Sequence, residues 1–127
     1  MAFEWSGLNI LIVDDDSDLR DTVCDIFKRL GAKMHSAIDG KDALSQIENQ
    51  NISIILCDLQ MPVMDGSSLL KVLNEKKIKI PFVFLTGQSH FTEKDARALG
   101  ATALIYKPFS IKDLTARVEH ILSNFFS

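Results

Sequence analysis

The chain has 127 residues, 46% of them hydrophobic and 24% charged, with a formal net charge of −3. That length and balance suit one domain, residues 1–127, with a real hydrophobic core. Its only basic block is Lys76-Lys77 with Lys79, which argues against direct nucleic-acid binding, and no apolar run approaches the roughly 18 residues needed to cross a bilayer.

Residues 1–8 carry no periodic pattern, and Trp5 reads as a peripheral packing residue. Asn9-Ile10-Leu11-Ile12-Val13 forms a first buried strand and ends in Asp14-Asp15-Asp16. From Ser17 the period changes: Leu19, Val23, Ile26, Phe27 and Leu30 fall on one helical face, and Gly31 closes the helix. Met34 to Ile38 is a shorter, more polar strand, suited to a sheet edge, and Asp39-Gly40 then turns the chain into a helix with Ala43, Leu44 and Ile47 inward. Ile54-Ile55-Leu56-Cys57 is apolar along its whole length, the mark of a strand covered on both faces, and it stops abruptly at Asp58. Pro62 and Asp65-Gly66 punctuate the following loop, and a helix runs from about Ser67 with Leu69, Leu70 and Leu73 inward. Pro81 to Thr86 is a fourth buried strand, followed by a short helix from Glu93 to Leu99 that ends at Gly100. Ala103 to Tyr106 is a fifth strand running into Lys107-Pro108-Phe109, and Ile111, Leu114, Val118, Ile121, Leu122 and Phe125 make a continuous stripe on the last helix.

Strands thus alternate with helices five times, which predicts an α/β fold: a doubly wound, five-stranded parallel sheet with helices on both faces. If the polar second strand lies at an edge, as in the flavodoxin-like order 2-1-3-4-5, the crevice opens between strands one and three. Asp14, Asp15 and Asp58 then converge on it, with Thr86 and Lys107 at the ends of strands four and five. Cys24 and Cys57 have no metal-ligand spacing and read as small core hydrophobes of a reducing compartment. Without a secretory signal pattern at the N-terminus, a cytoplasmic location is expected.

Carboxylates about 4 Å apart repel by on the order of 1–4 kcal/mol per pair, depending on the local dielectric. The start of the first helix offsets under about 1 kcal/mol per charge, so a further positive partner is needed. A hard divalent cation held by oxygen ligands fits, and magnesium characteristically combines one or two carboxylates with waters and phosphate. A phosphoryl group at Asp58 has the cation on one side, the Lys107 ammonium on another, and the Thr86 hydroxyl as a donor to a third oxygen. Gly87 leaves that approach sterically open.

The assembly resembles the receiver domain of bacterial two-component response regulators over nearly the whole chain. Four ordered motifs carry the resemblance: Val13-Asp14-Asp15; Asp58 with Met61-Pro62 and Met64-Asp65-Gly66; Leu85-Thr86-Gly87; and Lys107-Pro108-Phe109. It implies that Asp58 accepts the phosphoryl group and that Asp15, Asp58 and the Gln60 backbone carbonyl ligate Mg2+, with Asp14 acting through metal-bound water. Thr86 and Lys107 would contact the phosphoryl group, and the Lys107-Pro108 bond would be cis. The implied partners are a histidine kinase or phosphotransfer protein upstream and an unidentified protein or output domain downstream. Both a stand-alone regulator and one domain of a longer protein fit the sequence.

Leu104 departs from the family pattern, which usually places an aromatic switch residue three positions before the lysine; here an aromatic stands at Tyr106 instead. The expectation is a weakened ring switch, with the signal carried mainly by the loop from Thr86 to Phe91. Gln60 and Gln88 occupy the positions that tune phosphoryl lifetime in the family. Three other readings compete. An aspartate-nucleophile phosphatase resembles Asp-x-Asp, but its second acid is Gln60 here; a flavin site lacks its phosphate loop after strand one; and a degenerate interaction module typically loses acids or the lysine that are all present here.

Overall fold

The expected alternation is realised element by element: β1 (Asn9–Val13), α1 (Ser17–Leu30), β2 (Lys33–Ala37), α2 (Gly40–Asn49), β3 (Ile54–Asp58), α3 (Gly66–Glu75), β4 (Phe82–Thr86), α4 (Glu93–Ala98), β5 (Ala103–Tyr106) and α5 (Ile111–Phe125). The computed structural model describes residues 3–125, so the ends of the expected domain, 1–2 and 126–127, lie outside the described residues. All strands are parallel, in the order β2-β1-β3-β4-β5. The polar β2 is an edge strand, the position its composition suited.

The sheet separates two cores because successive strand residues face opposite ways. Leu11, Val13, Ile55, Cys57, Phe82, Phe84 and Leu104 pack with α2, α3 and α4 on one face. Ile10, Ile12, Ile54, Leu56, Val83, Leu85 and Ile105 pack with α1 and α5 on the other. Burial on both faces explains why β1, β3 and β4 read as unbroken apolar runs.

Helix starts are set by short polar side chains. Asp16 caps α1 through the Asp18 and Leu19 amides, Asp39 caps α2, Asp65 caps α3, and Thr92 and Asp95 form a reciprocal capping box on α4. The Gly31 amide closes α1 at φ 110°, a backbone region favourable to glycine alone.

Several packing expectations are corrected. Trp5 is buried, not peripheral: its ring lies 5.4 Å from that of Phe27, beneath the α1–α5 core. Leu30, Ile111 and Phe125 lie on the expected helical faces but are exposed, since each sits at or next to a helix end, beyond the reach of the sheet. Ile38 falls just outside β2 and is also exposed. Leu104, two residues from Tyr106 and so expected with it between the last two helices, faces the core under α2, α3 and α4 with Ala96. No described helix is long and apolar enough to cross a membrane.

Candidate functional site

The site lies at the carboxyl ends of the strands, at the switch point between β1 and β3. Val13 pairs in register with Cys57, so Asp14 and Asp58 leave neighbouring strands at the same level. Asp14 is buried, with each of its polar atoms engaged. Its amide donates to the Ala37 carbonyl (3.1 Å), and its Oδ1 accepts from the Asp16 amide (2.9 Å). Its carbonyl accepts from Arg20 Nη1 (2.7 Å), and its Oδ2 accepts from Lys107 Nζ (2.8 Å). Asp15 is exposed. Asp16, the third acid of the run, is occupied in capping α1, which separates it from the other two.

Asp58 ends β3 with its side chain 15% exposed and Oδ2 3.5 Å from Lys107 Nζ. The Gln60 amide approaches Asp58 Oδ1 at 3.4 Å, a long contact. Burial, and then the Asp14 charge, push the Asp58 carboxyl above the ordinary carboxylate range, with Lys107 pulling the other way. Burial alone would lower the Lys107 ammonium. Its hydrogen bond to Asp14 and the charges of Asp58 and Asp14 outweigh that effect and hold the ammonium above the usual lysine range.

Asp14, Asp15 and Asp58 each present a carboxylate oxygen, all within 4.8 Å of one another. Three hard oxygen donors around one point, with a single ammonium to balance them, fit a hard divalent cation by both charge and donor chemistry. Thr86 ends β4, buried, and its Oγ1 accepts from the Gln88 amide (3.0 Å). Lys107 follows β5 directly, its amide bonded to the Thr86 carbonyl (2.8 Å), and the Lys107-Pro108 bond is cis.

Asp14, Asp58, Thr86 and Lys107 therefore stand at four adjacent strand ends, with Asp15 beside the first two and Gln60 in the loop after β3, and Asp14 and Asp58 meet Lys107. Arg20 is not legible in the sequence: it stands one turn after the Asp16 cap on α1, and its hold on the Asp14 carbonyl depends on how that helix leaves the sheet. Gly40 is marked by the sequence only as a turn residue. A Cβ there would come within 2.7–2.9 Å of Met64, so α2 closes directly on the loop after Asp58, with the Gly40 amide on the Met64 carbonyl (3.0 Å). Cys57 is fully buried, and burial first, then the Asp58 charge, pushes its thiol well up, in keeping with an inert core residue.

The response regulator receiver domain model matches residues 10–119. This chain belongs to that family. The receiver domain is 36% identical over 117 residues to the response regulator SaeR of Staphylococcus aureus, covering 91% of this chain and 50% of that protein. It thus spans about half the length of the curated relatives it matches. Among solved structures, it is similar to the receiver domain of Francisella response regulator 1452, with TM-score 0.87, 32% identity, and coverage of 94% of this chain and 99% of that one. It is also similar to the chemotaxis protein CheY4 of Vibrio cholerae, with TM-score 0.83, 27% identity, and coverage of 90% and 98%. The receiver domain is a module of two-component signalling, and its family typically binds Mg2+ in an acidic pocket and is phosphorylated on aspartate.

Proposed function

We propose that Asp58 of this receiver domain accepts a phosphoryl group from the phosphohistidine of a histidine kinase or phosphotransfer protein. The observation that carries the reading is the Lys107 ammonium, 2.8 Å from Asp14 and 3.5 Å from Asp58, seated over a cluster of three carboxylates. A carboxylate oxygen of Asp58 attacks phosphorus, the P–N bond breaks, and the imidazole leaves with the bond's electrons, to be protonated from solvent. The product is a mixed carboxylic–phosphoric anhydride. Lys107 turns its ammonium from Asp14 toward the incoming phosphoryl oxygens, and Thr86 donates its hydroxyl to one of them. Catalysis in such a loose transition state is positioning and charge neutralisation. Asp15, Asp58 and the Gln60 backbone carbonyl would hold Mg2+, with Asp14 beside them; the ion would supply further positive charge against the phosphoryl oxygens.

The domain turns over no external substrate in this reading: Gln60 stands where an aspartate phosphatase carries its second acid. Its phosphorylated form acts on a downstream protein or an output domain, in the cytoplasm, without itself binding nucleic acid or membrane.

Incubation with a small phosphodonor and Mg2+ tests this directly. Intact mass should show one added phosphoryl group, labile to hydroxylamine, lost on chelation of Mg2+ and absent from Asp58→Asn. Equal labelling of Asp58→Asn and the parent would refute the assignment.

A further inference from the structure

Thr86 and Tyr106 are partners in register at the ends of β4 and β5. The segment between Thr86 and Phe91 leaves the sheet at Thr86 and is caught again fifteen residues from Tyr106 in sequence, where the Tyr106 hydroxyl donates to the Phe91 carbonyl at 2.5 Å. The loop is strung on a short chain of hydrogen bonds: the Gln88 amide to Thr86 Oγ1 (3.0 Å), the Phe91 amide to the Gln88 carbonyl (3.1 Å), and the Tyr106 hydroxyl to the Phe91 carbonyl. The Phe91 ring packs edge-on against Phe84, with centroids 5.5 Å apart, and Phe84 pairs in register with Leu104. Rings from both β4 and the loop therefore pack into the core that holds Leu104, and the loop's main chain is tied to a phenol on the strand.

We propose that the Tyr106 hydroxyl is a latch on this loop and that Tyr106 is a positioning residue acting through Thr86 to oppose phosphorylation. The inference rests on the reading of Asp58 as phosphoacceptor. A Thr86 hydroxyl that turns toward a phosphoryl group on Asp58 withdraws its oxygen from the Gln88 amide. Gln88 must follow or lose its partner, and Gln88 in turn holds the Phe91 amide. The displacement reaches Phe91, whose carbonyl Tyr106 retains in the resting state. Tyr106 is 44% exposed, so its ring contributes little to the core and the hydroxyl contact is what distinguishes it from phenylalanine. One hydrogen bond at such a site biases a two-state equilibrium by roughly two- to tenfold.

The test compares the parent with Tyr106→Phe and Tyr106→Met, which both lack the donor while keeping an apolar side chain. Beryllofluoride with Mg2+ serves as the phosphoryl mimic, its affinity read by titration calorimetry. Amide hydrogen exchange is followed over residues 87–91. Both variants should exchange faster in the loop without ligand and bind beryllofluoride about two- to tenfold more tightly than the parent. Affinity unchanged or weakened in both variants overturns the latch, whatever the loop exchange does. A parent that binds no beryllofluoride, or an Asp58→Asn variant that binds it equally well, removes the phosphoacceptor reading together with the latch. Normal binding by the parent with unaltered variants removes the latch alone.

Discussion

Lys107 Nζ and Asp14 Oδ2 belong to residues 93 positions apart in the chain and lie 2.8 Å apart in the fold. Asp14 is 1% exposed and Lys107 27%, so the pair is shielded on the acid's side and wet on the ammonium's. Its removal has two opposite consequences. Lys107→Met leaves Asp14 buried without its cation, which should lower stability by about 1–3 kcal/mol, less than for a fully buried pair. The same change leaves three carboxylates with no ammonium, so Mg2+ should bind more tightly and restore more stability than it adds to the parent. Thermal denaturation with and without Mg2+ checks both: the variant melts lower in chelator, and its Mg2+-induced rise exceeds the parent's.

Asp15 and Asp16 are adjacent in sequence and opposite in role. Asp16→Ala removes the cap on the Asp18 and Leu19 amides and should cost about 1 kcal/mol of stability. It should leave Mg2+ affinity nearly unchanged. Asp15→Ala removes an exposed charge from the acidic cluster, so it should abolish most Mg2+ binding while leaving metal-free stability equal or slightly higher. Calorimetric titration and urea denaturation of the two variants separate the effects; equal losses of metal affinity would assign the acids a shared, nonspecific role.

Asp58 is held above the ordinary carboxylate range by burial and then by Asp14. A carboxyl whose folded value exceeds its unfolded value contributes stability only while protonated. That contribution is present below the unfolded value and is lost as pH rises through the folded one. Asp58→Asn keeps the shape and discards the charge. In the absence of metal the variant should be more stable at about pH 7, by on the order of 1 kcal/mol, and the advantage should fade toward about pH 3. Paired melting curves across that range give the sign.

Val63 has φ 68° in the loop after Asp58, in a three-residue turn closed by the Met64 amide on the Pro62 carbonyl (2.7 Å). A β-branched residue in the left-handed region is strained by roughly 1–2 kcal/mol, and its side chain, 80% exposed, recovers little of that by packing. Glycine relieves the strain but adds roughly 0.5–1 kcal/mol of unfolded-state entropy. The first effect is larger, so Val63→Gly should be net stabilising by about 0.5–1 kcal/mol in urea denaturation.

Much of the molecule is legible in its sequence because the signals are local. A strand that is apolar on every residue must be covered on both faces, so Ile54 to Cys57 announces a parallel sheet. A carboxylate that ends such a run has to emerge at the strand's carboxyl end, so Asp14 and Asp58 announce the site and the polarity of Met34 to Ile38 announces the edge.

The kind and order of the elements, and the set of chemical groups at the strand ends, follow from periodicity and from where each hydrophobic run stops. Tertiary structure alone decided the partners. Periodicity names the inward face of a helix but not how far the sheet extends beneath it, which is why Leu30, Ile111 and Phe125 are exposed while Trp5 is buried. Asp14 directly ends the apolar run and Asp16 directly precedes α1, but nothing local says which of them receives Lys107. The choice depends on the angle at which α1 leaves β1 and on a side chain delivered from the far end of the chain. The hold of Arg20 on Asp14, the closure of Gly40 on Met64 and the reach of Tyr106 to Phe91 have the same origin. The first spans six residues and turns on how α1 leaves β1; the other two join segments that meet only after the sheet has assembled, because a hydrogen bond needs its two atoms within about 3 Å and chain order alone does not bring them there.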